Sequence, residues 1–248
     1  MNILAIIPAR MGSSRFPGKP MANINGTPMI GHVYNRVQKC ELLTKTIVAT
    51  CDSEIFDYIS SIGGQAVMTS TEHERASDRA AEALNIMEKE DQIQYDIIVM
   101  VQGDEPMTDP KMINEALDPI ISNDSINIVN LVADIVTQEE FEDRNCIKVV
   151  LDKDNNAMYF SREPIPTQRF NINIPMKKQV CIIPFRRDFL FKYQEMVPTS
   201  YEVIESVDMM RVLENGYKVK MVPTNFATSA VDTKEDLLKV IDLMKDEK

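Results

Sequence analysis

The sequence is poor in the residues that several common protein functions require. It carries 27 Lys and Arg against 38 Asp and Glu, a formal net charge of −11 at pH 7. Because binding to a nucleic-acid backbone needs a basic face, this charge balance argues against nucleic acid as the main partner. Only two histidines are present and the four cysteines lack Cys-x-x-Cys spacing, which predicts unpaired cysteines in a reducing compartment and no zinc site.

Long apolar runs are also missing. No run approaches the roughly 18 residues that a membrane-spanning helix needs. The apolar start of the chain has no basic leader before it, as a secretory signal would. We therefore expect a cytoplasmic protein with no membrane partner. Its 248 residues, of which 44% are hydrophobic, are enough for a core without disulfides.

The sequence does contain an alternation of short apolar runs with helical patterns. The first runs are rich in Ile and Val, which is typical of strands buried on both faces of a parallel sheet. Asp52 precedes one helical pattern as its predicted N-cap. The alternation predicts an α/β fold with a mostly parallel sheet. Strands are predicted at 2–8, 45–51, 96–102 and 218–222, and helices at 28–40, 52–64, 76–89, 109–121, 186–195, 202–214 and 233–245.

The middle of the chain differs, because strand-like runs follow one another there. Residues 146–152 and 155–161 flank the turn residues of a hairpin, and another run covers 179–185. We expect a small β-rich insertion over 146–185 within a single domain of residues 1–248.

A loop rich in small and basic residues follows the first predicted strand. Between residues 8 and 20 it holds two glycines, two serines and the three cations Arg10, Arg15 and Lys19. Loops at the carboxyl ends of α/β strands bind ligands, and main-chain N–H groups beside basic side chains suit a polyphosphate. The spacing is not that of a P-loop, because five residues separate Gly12 from Gly18. A basic surface turn is the competing interpretation.

An acidic motif follows the strongest strand prediction. Gly103 lets the chain turn after residues 96–102, and Asp104 comes directly after it. Mg²⁺ prefers carboxylate and phosphate oxygens and uses one or two protein carboxylates beside a nucleotide, so Asp104 is a candidate metal ligand. An aspartate that caps the following turn is the competing interpretation. Asp232, just before Thr233, fits a helix cap in the same way.

Five motifs in order resemble the CMP-Kdo synthetases, the 3-deoxy-manno-octulosonate cytidylyltransferases. The resemblance extends over nearly the whole chain. It implies a three-layer, Rossmann-like nucleotide-diphospho-sugar transferase fold with a mostly parallel central sheet. It also implies CTP and a small acidic acceptor as substrates, Mg²⁺ as cofactor, and a homodimer built from the β-rich insertion. The motifs lie at residues 6–36, 71–79, 101–106, 201–211 and 231–237.

The resemblance also implies roles for individual residues. The loop after the first strand would wrap the CTP phosphates, and a later segment would contact the nucleoside. Asp104 and Asp232 would bind the metal, and Gln102 would face the sugar. Catalytic roles would fall to Arg10, Arg15, Lys19 and Asp104, and nucleotide binding to Ala9, Arg10, Ser13, Ser14, Lys19, His73, Ser77 and Arg79.

The predicted acceptor pocket departs from the family pattern. Gln179 and Ile183 stand where the family has a histidine and a tyrosine, and Asp208-Met209 replaces Glu-Gln. Because a pocket that loses hydroxyl partners discriminates differently among its substrates, we expect Kdo to be turned over poorly relative to another acidic acceptor. The predicted acceptor-binding residues are Gln102, Gln179, Ile183, Glu205 and Asp208.

The reaction that these residues predict is nucleotidyl transfer. The acceptor hydroxyl would attack the α-phosphorus of CTP in line and release pyrophosphate. Such a reaction needs positioning and charge neutralisation rather than a covalent enzyme intermediate. The sequence leaves three functions open: transfer to Kdo, the same transfer to another acid such as amino-Kdo or a phosphonate, and nucleotide binding without catalysis.

Overall fold

A computed structural model describes residues 1–12, 15–167 and 175–245 of the chain. Its first elements are β1 (Ile3–Ala9), β2 (Asn23–Ile24), β3 (Thr27–Pro28), α1 (Met29–Val37), β4 (Lys45–Thr50), α2 (Ser53–Ser61), β5 (Ala66–Met68), α3 (Ala76–Asp91), β6 (Ile97–Val101) and α4 (Pro110–Ser122). They are followed by β7 (Val129–Asp134), α5 (Gln138–Glu142), β8 (Lys148–Leu151), β9 (Ala157–Ser161), β10 (Lys177–Val180), β11 (Ile182–Arg186), α6 (Arg187–Glu195), α7 (Ser200–Glu205), α8 (Asp208–Glu214), β12 (Lys220–Pro223) and α9 (Lys234–Leu243).

The chain forms two compact units. The first combines Met1–Asn114 with the C-terminal segment Ala227–Lys248, and the second is Glu115–Phe226. The first unit thus joins the two ends of the sequence, and it contains the loop after β1, the turn after β6 and α9. The expected single domain over 1–248 stays a prediction.

The first unit is built on a parallel sheet. β1 pairs with β4 and β6, and β4 pairs with β5, which gives the order β6-β1-β4-β5 with all pairs parallel. The residues of β1 and β6 are almost all buried, and α1 and α3 pack against β1. Continuous burial explains why these strands are uninterrupted apolar runs in the sequence. The predicted α/β fold with a mostly parallel sheet is confirmed.

The carboxyl ends of β1 and β6 meet at one edge of this sheet. Ile6 lies beside Met100 in the parallel register, so the loop after β1 and the turn after β6 leave the sheet side by side. At Gly103 an added Cβ would lie 3.2 Å from the carbonyl oxygen of Pro8. Because this is closer than nearly all real Cβ contacts, glycine lets the two segments approach each other.

The second unit holds a mixed sheet in the order β12-β7-β10-β8-β9. β12 and β7 are parallel, whereas β10 is antiparallel to both β7 and β8. β8 and β9 form the predicted hairpin. β7 and β12 lie outside 146–185, so the β-rich region extends beyond the segment predicted from the sequence, and β7 itself was missed.

Two predicted elements are interrupted in this unit. The strand expected at 179–185 is divided at Cys181 into β10 and β11, and the helix expected at 202–214 is divided into α7 and α8. Ser206 ends α7 in the left-handed region, with φ 51°. The guanidinium of Arg162 donates to the carbonyl oxygens of Glu205 at 2.7 Å and Ser206 at 3.1 Å. Since a continuous helix would need these carbonyls for its own ladder, the break is stabilised by a contact that no local pattern reveals.

All four cysteines are free, with Cys40 buried and Cys51, Cys146 and Cys181 partly exposed. Burial, with the nearby Glu140 carboxylate, raises the pKa of the Cys146 thiol to about 11. That thiol is therefore protonated at neutral pH. None of the helices in the described part of the chain has the length and apolar character that crossing a membrane requires.

Candidate active site

The loop after β1 is anchored at both ends. Phe16 is buried in a hydrophobic cluster of the first unit, and the amide of Gly18 donates to the carbonyl oxygen of Met11 at 3.0 Å. Gly18 has φ 75°, in the left-handed region that favours glycine. These contacts turn the chain back so that a short 3-10 helix, Lys19–Met21, follows the loop. The cluster around the loop consists of Phe16, Ile24, Met29, Val231, Val240 and Met244.

Lys19 lies between two carboxylates. Its Nζ is 2.7 Å from Oδ2 of Asp104 and 3.4 Å from Oδ1 of Asp232. A guanidinium nitrogen of Arg15 is 2.9 Å from the same Asp232 oxygen. The side chains of Lys19, Asp104 and Asp232 are only 13%, 20% and 16% exposed, so solvent screens these ion pairs incompletely. The structure thus brings together four of the residues predicted for catalysis and metal binding.

The charge of Lys19 is fixed by its surroundings. Burial alone would lower the pKa of this lysine, because it penalises the ammonium form. The charges and hydrogen bonds of Asp104 and Asp232 outweigh burial, and the pKa of Lys19 is raised above its ordinary value. Lys19 therefore carries a full positive charge at neutral pH.

Asp232 does not cap the helix that follows it. Thr233 is the N-cap of α9, and its side chain accepts from the amide of Asp236, whose carboxylate accepts from the Thr233 amide in return. The amide of Val231 donates to the carbonyl oxygen of Asp104 at 2.9 Å. This bond ties the segment before α9 to the turn after β6. The cap interpretation of Asp232 is therefore wrong, and its carboxylate pairs with Lys19 and Arg15.

The two carboxylates suit a divalent metal that is bound together with a nucleotide. Mg²⁺ usually takes one or two protein carboxylates and completes its shell with phosphate oxygens and water. No group of three or more His, Cys, Asp and Glu arranged for a metal is found among residues 1–12, 15–167 and 175–245. Asp104 and Asp232 converge on one cation, so they fit an ion whose remaining ligands come from the substrate and solvent.

His73 belongs to a second polar group in the first unit. Its Nε2 is 2.5 Å from a carboxylate oxygen of Glu82, which also accepts from the amide of Ser70 at 2.8 Å. Burial raises the pKa of Glu82, but the hydrogen bonds from Ser70 and His73 outweigh it, and the net pKa of Glu82 is lowered. The carbonyl oxygen of His73 accepts from Arg10 at 3.4 Å. This contact connects the second polar group to the loop after β1.

Arg79 presents an unused donor in the same region. Its side chain is buried, and one guanidinium nitrogen donates to Oγ1 of Thr69 and to the carbonyl oxygen of Ser70. Its other terminal nitrogen is buried and has no hydrogen-bond partner in the part of the chain that the structure describes. A buried donor without a partner costs free energy, about 1–3 kcal/mol, unless a ligand supplies an acceptor. Ser77, on the same helix α3, is also buried.

Two further predicted residues of the first unit, one for the nucleotide and one for the sugar, lie near its sheet edge. Ala9 is buried at the end of β1, and Gln102 is half-buried directly after β6. Ser13 and Ser14 fall outside the described residues.

The other four residues predicted to bind the acceptor belong to the second unit. The side-chain nitrogen Nε2 of Gln179 donates to Oδ1 of the buried Asn130 at 2.5 Å, and Ile183 is buried in β11. Asp208 is the first residue of α8. The carboxylate of Glu205 accepts from Tyr159 at 3.1 Å, Ser161 at 3.0 Å and the amide of Arg162 at 2.9 Å. Glu205 therefore already has three donors from β9 and the residue after it.

Sequence patterns missed several residues that build these sites. Asp52 is the N-cap residue of α2, as predicted, but its side chain makes no capping hydrogen bond to that helix and accepts instead from the main-chain amide of Met11 at 2.8 Å. Glu82 and Thr69 orient His73 and Arg79. The only sequence signal for these partners was their polarity, which many surface residues share.

Comparison with known proteins decides the family. Residues 4–221 match the profile of the cytidylyltransferase family. The chain belongs to the cytidylyltransferase family. It is 42% identical, over 98% of its length and 97% of the relative's, to 3-deoxy-manno-octulosonate cytidylyltransferase of Geobacter metallireducens. It is also 41% identical, over 99% and 98% of the two chains, to the enzyme of that name from Fusobacterium nucleatum. This cytidylyltransferase is therefore a CTP-dependent nucleotidyltransferase.

Solved structures agree with the family. The structure of CMP:2-keto-3-deoxy-manno-octonic acid synthetase complexed with CTP superposes with a TM-score of 0.90 at 34% identity, over the full length of both chains. A putative glucose-1-phosphate thymidylyltransferase from Bacillus anthracis, at 13% identity, has a TM-score of 0.69 over 100% and 96% of the chains and shows the shared fold alone. These names do not favour the alternatives of another acidic acceptor or of binding without catalysis.

Proposed function

We propose that this cytidylyltransferase joins CTP to 3-deoxy-manno-octulosonate (Kdo), releases pyrophosphate, and uses Mg²⁺ as its metal. The observation that carries the proposal is the convergence of Asp104 and Asp232 on the ammonium of Lys19, at the sheet edge where the loop after β1 begins. A paired carboxylate site beside a cluster of cations suits a metal-bound triphosphate. The names of the relatives support Kdo as the acceptor.

The basic residues of the loop would act on the phosphates. The acceptor hydroxyl oxygen forms a bond to the α-phosphorus of CTP as the bond from that phosphorus to the oxygen bridging the α- and β-phosphates breaks, and the hydroxyl proton passes to water. Lys19 and Arg15, with Arg10, would stabilise the negative charge that develops on the leaving pyrophosphate. A divalent ion on Asp104 and Asp232 would neutralise phosphate charge and lower the pKa of a bound hydroxyl.

Arg79 would recognise the cytosine base of CTP by a hydrogen bond. One of its terminal nitrogens, buried and without a hydrogen-bond partner among the described residues, is a donor that the carbonyl oxygen of cytosine would satisfy. Ser77 and His73 complete the predicted nucleoside contacts. A site built around a buried donor rejects ligands that leave it unpaired, so the geometry supports selection by the base rather than by the phosphates alone.

Recognition of the acceptor is assigned to Gln102, Gln179, Ile183, Glu205 and Asp208. Because Glu205 is already hydrogen-bonded to β9, its proposed role is to hold Tyr159 and Ser161 in place for the sugar. The side-chain nitrogen of Gln179 donates to Asn130, and the side-chain carbonyl oxygen of Gln179 would accept from a sugar hydroxyl. Gln179, Ile183 and Asp208 differ from the family pattern in type, and Gln179 and Asp208 still offer polar groups, which is compatible with Kdo.

A homodimer is the proposed assembly. β9 is the outer strand of the sheet in the second unit, and Met158 on it is 61% exposed. Tyr201, Val203 and Ile204 of α7 are also exposed, by 51%, 61% and 74%. An edge strand beside exposed apolar side chains is a surface that a second copy would cover. Light scattering at micromolar concentration tests this: a mass near twice 28.2 kDa supports it, and a monomer contradicts it.

The proposed reaction is tested by pyrophosphate release with purified protein. CTP, UTP, ATP and GTP would each be offered with Kdo, and CTP would then be offered with amino-Kdo and with small phosphonates. We expect turnover with CTP and Kdo above every other combination. A phosphonate or amino-Kdo with a higher kcat/KM than Kdo would overturn the choice of acceptor, and equal rates with a purine triphosphate would overturn the choice of nucleotide.

A further inference from the structure

Asp52 occupies a helix-capping position and uses its side chain elsewhere. It is the N-cap residue of α2, in extended conformation, yet its carboxylate accepts no hydrogen bond from the first turn of that helix. Instead Oδ2 accepts from the main-chain amide of Met11 at 2.8 Å. Aspartate is among the best N-cap residues, so the helix gives up a favourable local contact in favour of one with a residue 41 positions away.

The main-chain amide that Asp52 binds lies at the start of the loop after β1. Met11 is two residues beyond the end of β1 and directly precedes Gly12. The carbonyl oxygen of Met11 is held as well, by the amide of Gly18 at 3.0 Å. The main-chain N–H and C=O groups of Met11 are therefore both hydrogen-bonded. The N–H is bound by Asp52, outside the loop, and the C=O by Gly18, within it.

A carboxylate is an unexpected neighbour for a loop that would bind a triphosphate, because its charge repels the ligand. The repulsion is offset only if the hydrogen bond between Asp52 and the Met11 amide contributes to ligand binding in another way, by holding the start of the loop in place. A charged acceptor forms a stronger bond to an amide than a neutral one does. The bond to Asp52 also restricts the direction in which the main chain leaves Arg10. The guanidinium of Arg10 is itself held, because it donates to the carbonyl oxygen of His73.

We infer that Asp52 is a positioning residue for CTP: through the Met11 amide it fixes Met11, where the loop that receives the triphosphate leaves β1. The inference rests on the proposed function and adds a residue that touches neither substrate. It predicts that loop order and helix capping can be separated by substitution at this single position.

Three variants separate the two roles. Asp52→Ser supplies a good helix cap, but its oxygen is one bond nearer the main chain and cannot reach Met11. Asp52→Asn keeps an acceptor at the original reach without the charge. Glu54→Gln is the matched control, because Glu54 is an exposed acid in the first turn of the same helix.

Hydrogen–deuterium exchange of the Met11 amide and steady-state kinetics with CTP are the measurements. For Asp52→Ser we expect exchange about tenfold faster and KM for CTP about tenfold higher, as for the loss of one hydrogen bond to a charged group, with a Tm no lower than that of the wild type. KM for Kdo should stay within about twofold, a change below what one hydrogen bond contributes. Asp52→Asn should lie much closer to the wild type in both readouts, and Glu54→Gln should change neither.

A lower Tm in Asp52→Ser with unchanged Met11 exchange would mean a purely structural role and would overturn the inference. Unchanged exchange with an unchanged Tm would overturn it too. Exchange is measured without substrate, so it tests the Asp52 contact even if the wild-type protein does not turn over CTP and Kdo. That last result would refute the proposed function, whereas faster exchange in Asp52→Ser would still establish the contact.

Discussion

Replacing Lys19 by methionine should make the stability of the protein depend on a divalent metal. In the metal-free protein the ammonium of Lys19 is the counterion of two carboxylates that are only 20% and 16% exposed, those of Asp104 and Asp232. Without it, the two negative charges repel each other, and in the part of the chain that the structure describes Arg15 still pairs with Asp232. Mg²⁺ added to the variant would restore the missing positive charge.

The size of the effect follows from the contacts. A hydrogen bond to a charged group contributes about 1.5–3 kcal/mol. Because Asp104 and Asp232 keep some solvent contact, we take a value near the middle, about 2 kcal/mol for the metal-free variant. For a chain of this size that corresponds to a Tm lower by about 4–8 °C. Millimolar Mg²⁺ should recover at least half of the loss.

The assay is a thermal melt with and without Mg²⁺, with Lys45→Met as the matched control. Lys45 pairs with Asp91 at 2.5 Å, and the two side chains are 20% and 22% exposed, so this variant loses a similar ion pair in the same unit. Lys45→Met should lose stability and gain nothing specific from Mg²⁺. The reasoning is refuted if Mg²⁺ stabilises Lys19→Met no more than it stabilises Lys45→Met, or if Lys19→Met melts like the wild type without metal.

Three further predictions concern the same unit. Asp104→Asn should lower kcat by at least about 10²-fold with the fold retained, and EDTA should abolish wild-type activity until Mg²⁺ is restored; full activity of the variant would contradict the metal role. Arg79→Met should raise KM for CTP and weaken discrimination against ATP, which competition kinetics would detect. Because the pKa of Glu82 is lowered, its stabilisation is complete above the ordinary pKa of a glutamate and is lost as pH falls through the lowered value. As the pH is lowered through the acid range, the Tm of Glu82→Gln should therefore fall less than the Tm of the wild type.

Local sequence patterns were sufficient for three strands of the first unit's sheet, β1, β4 and β6, whereas the short edge strand β5 was missed. Strands β1 and β6 are buried on both faces, so their apolar runs are unambiguous, and the rule that ligands bind at strand carboxyl ends located the loop and Asp104. The position of Asp232 could not be derived from local pattern, because Thr233 and its capping box look the same whether or not the preceding carboxylate reaches Lys19. That contact depends on the long-range bond between Val231 and Asp104.

The second unit was predicted less well because its elements are defined by side-chain contacts between distant segments. The division of α7 from α8 depends on Arg162, which lies more than 40 positions from the carbonyls that it binds. β7 was missed although it is apolar, since the buried Asn130 interrupts its pattern. Asn130 is tolerated because it donates to the carbonyl oxygen of Val180 and accepts from Gln179, partners that only the folded sheet provides.

The central claim is that the site around Lys19, Asp104 and Asp232 transfers CMP to an acidic sugar. It is tested most directly by following CTP labelled at the α-phosphorus, in the presence of Kdo and Mg²⁺, with the Asp104→Asn variant as control. The account predicts that the label appears in a sugar nucleotide whose mass equals that of CMP joined to Kdo with loss of water, and that unlabelled pyrophosphate is released in equal amount. Label that stays in CDP, with inorganic phosphate released, would show attack at a different phosphorus and would contradict it.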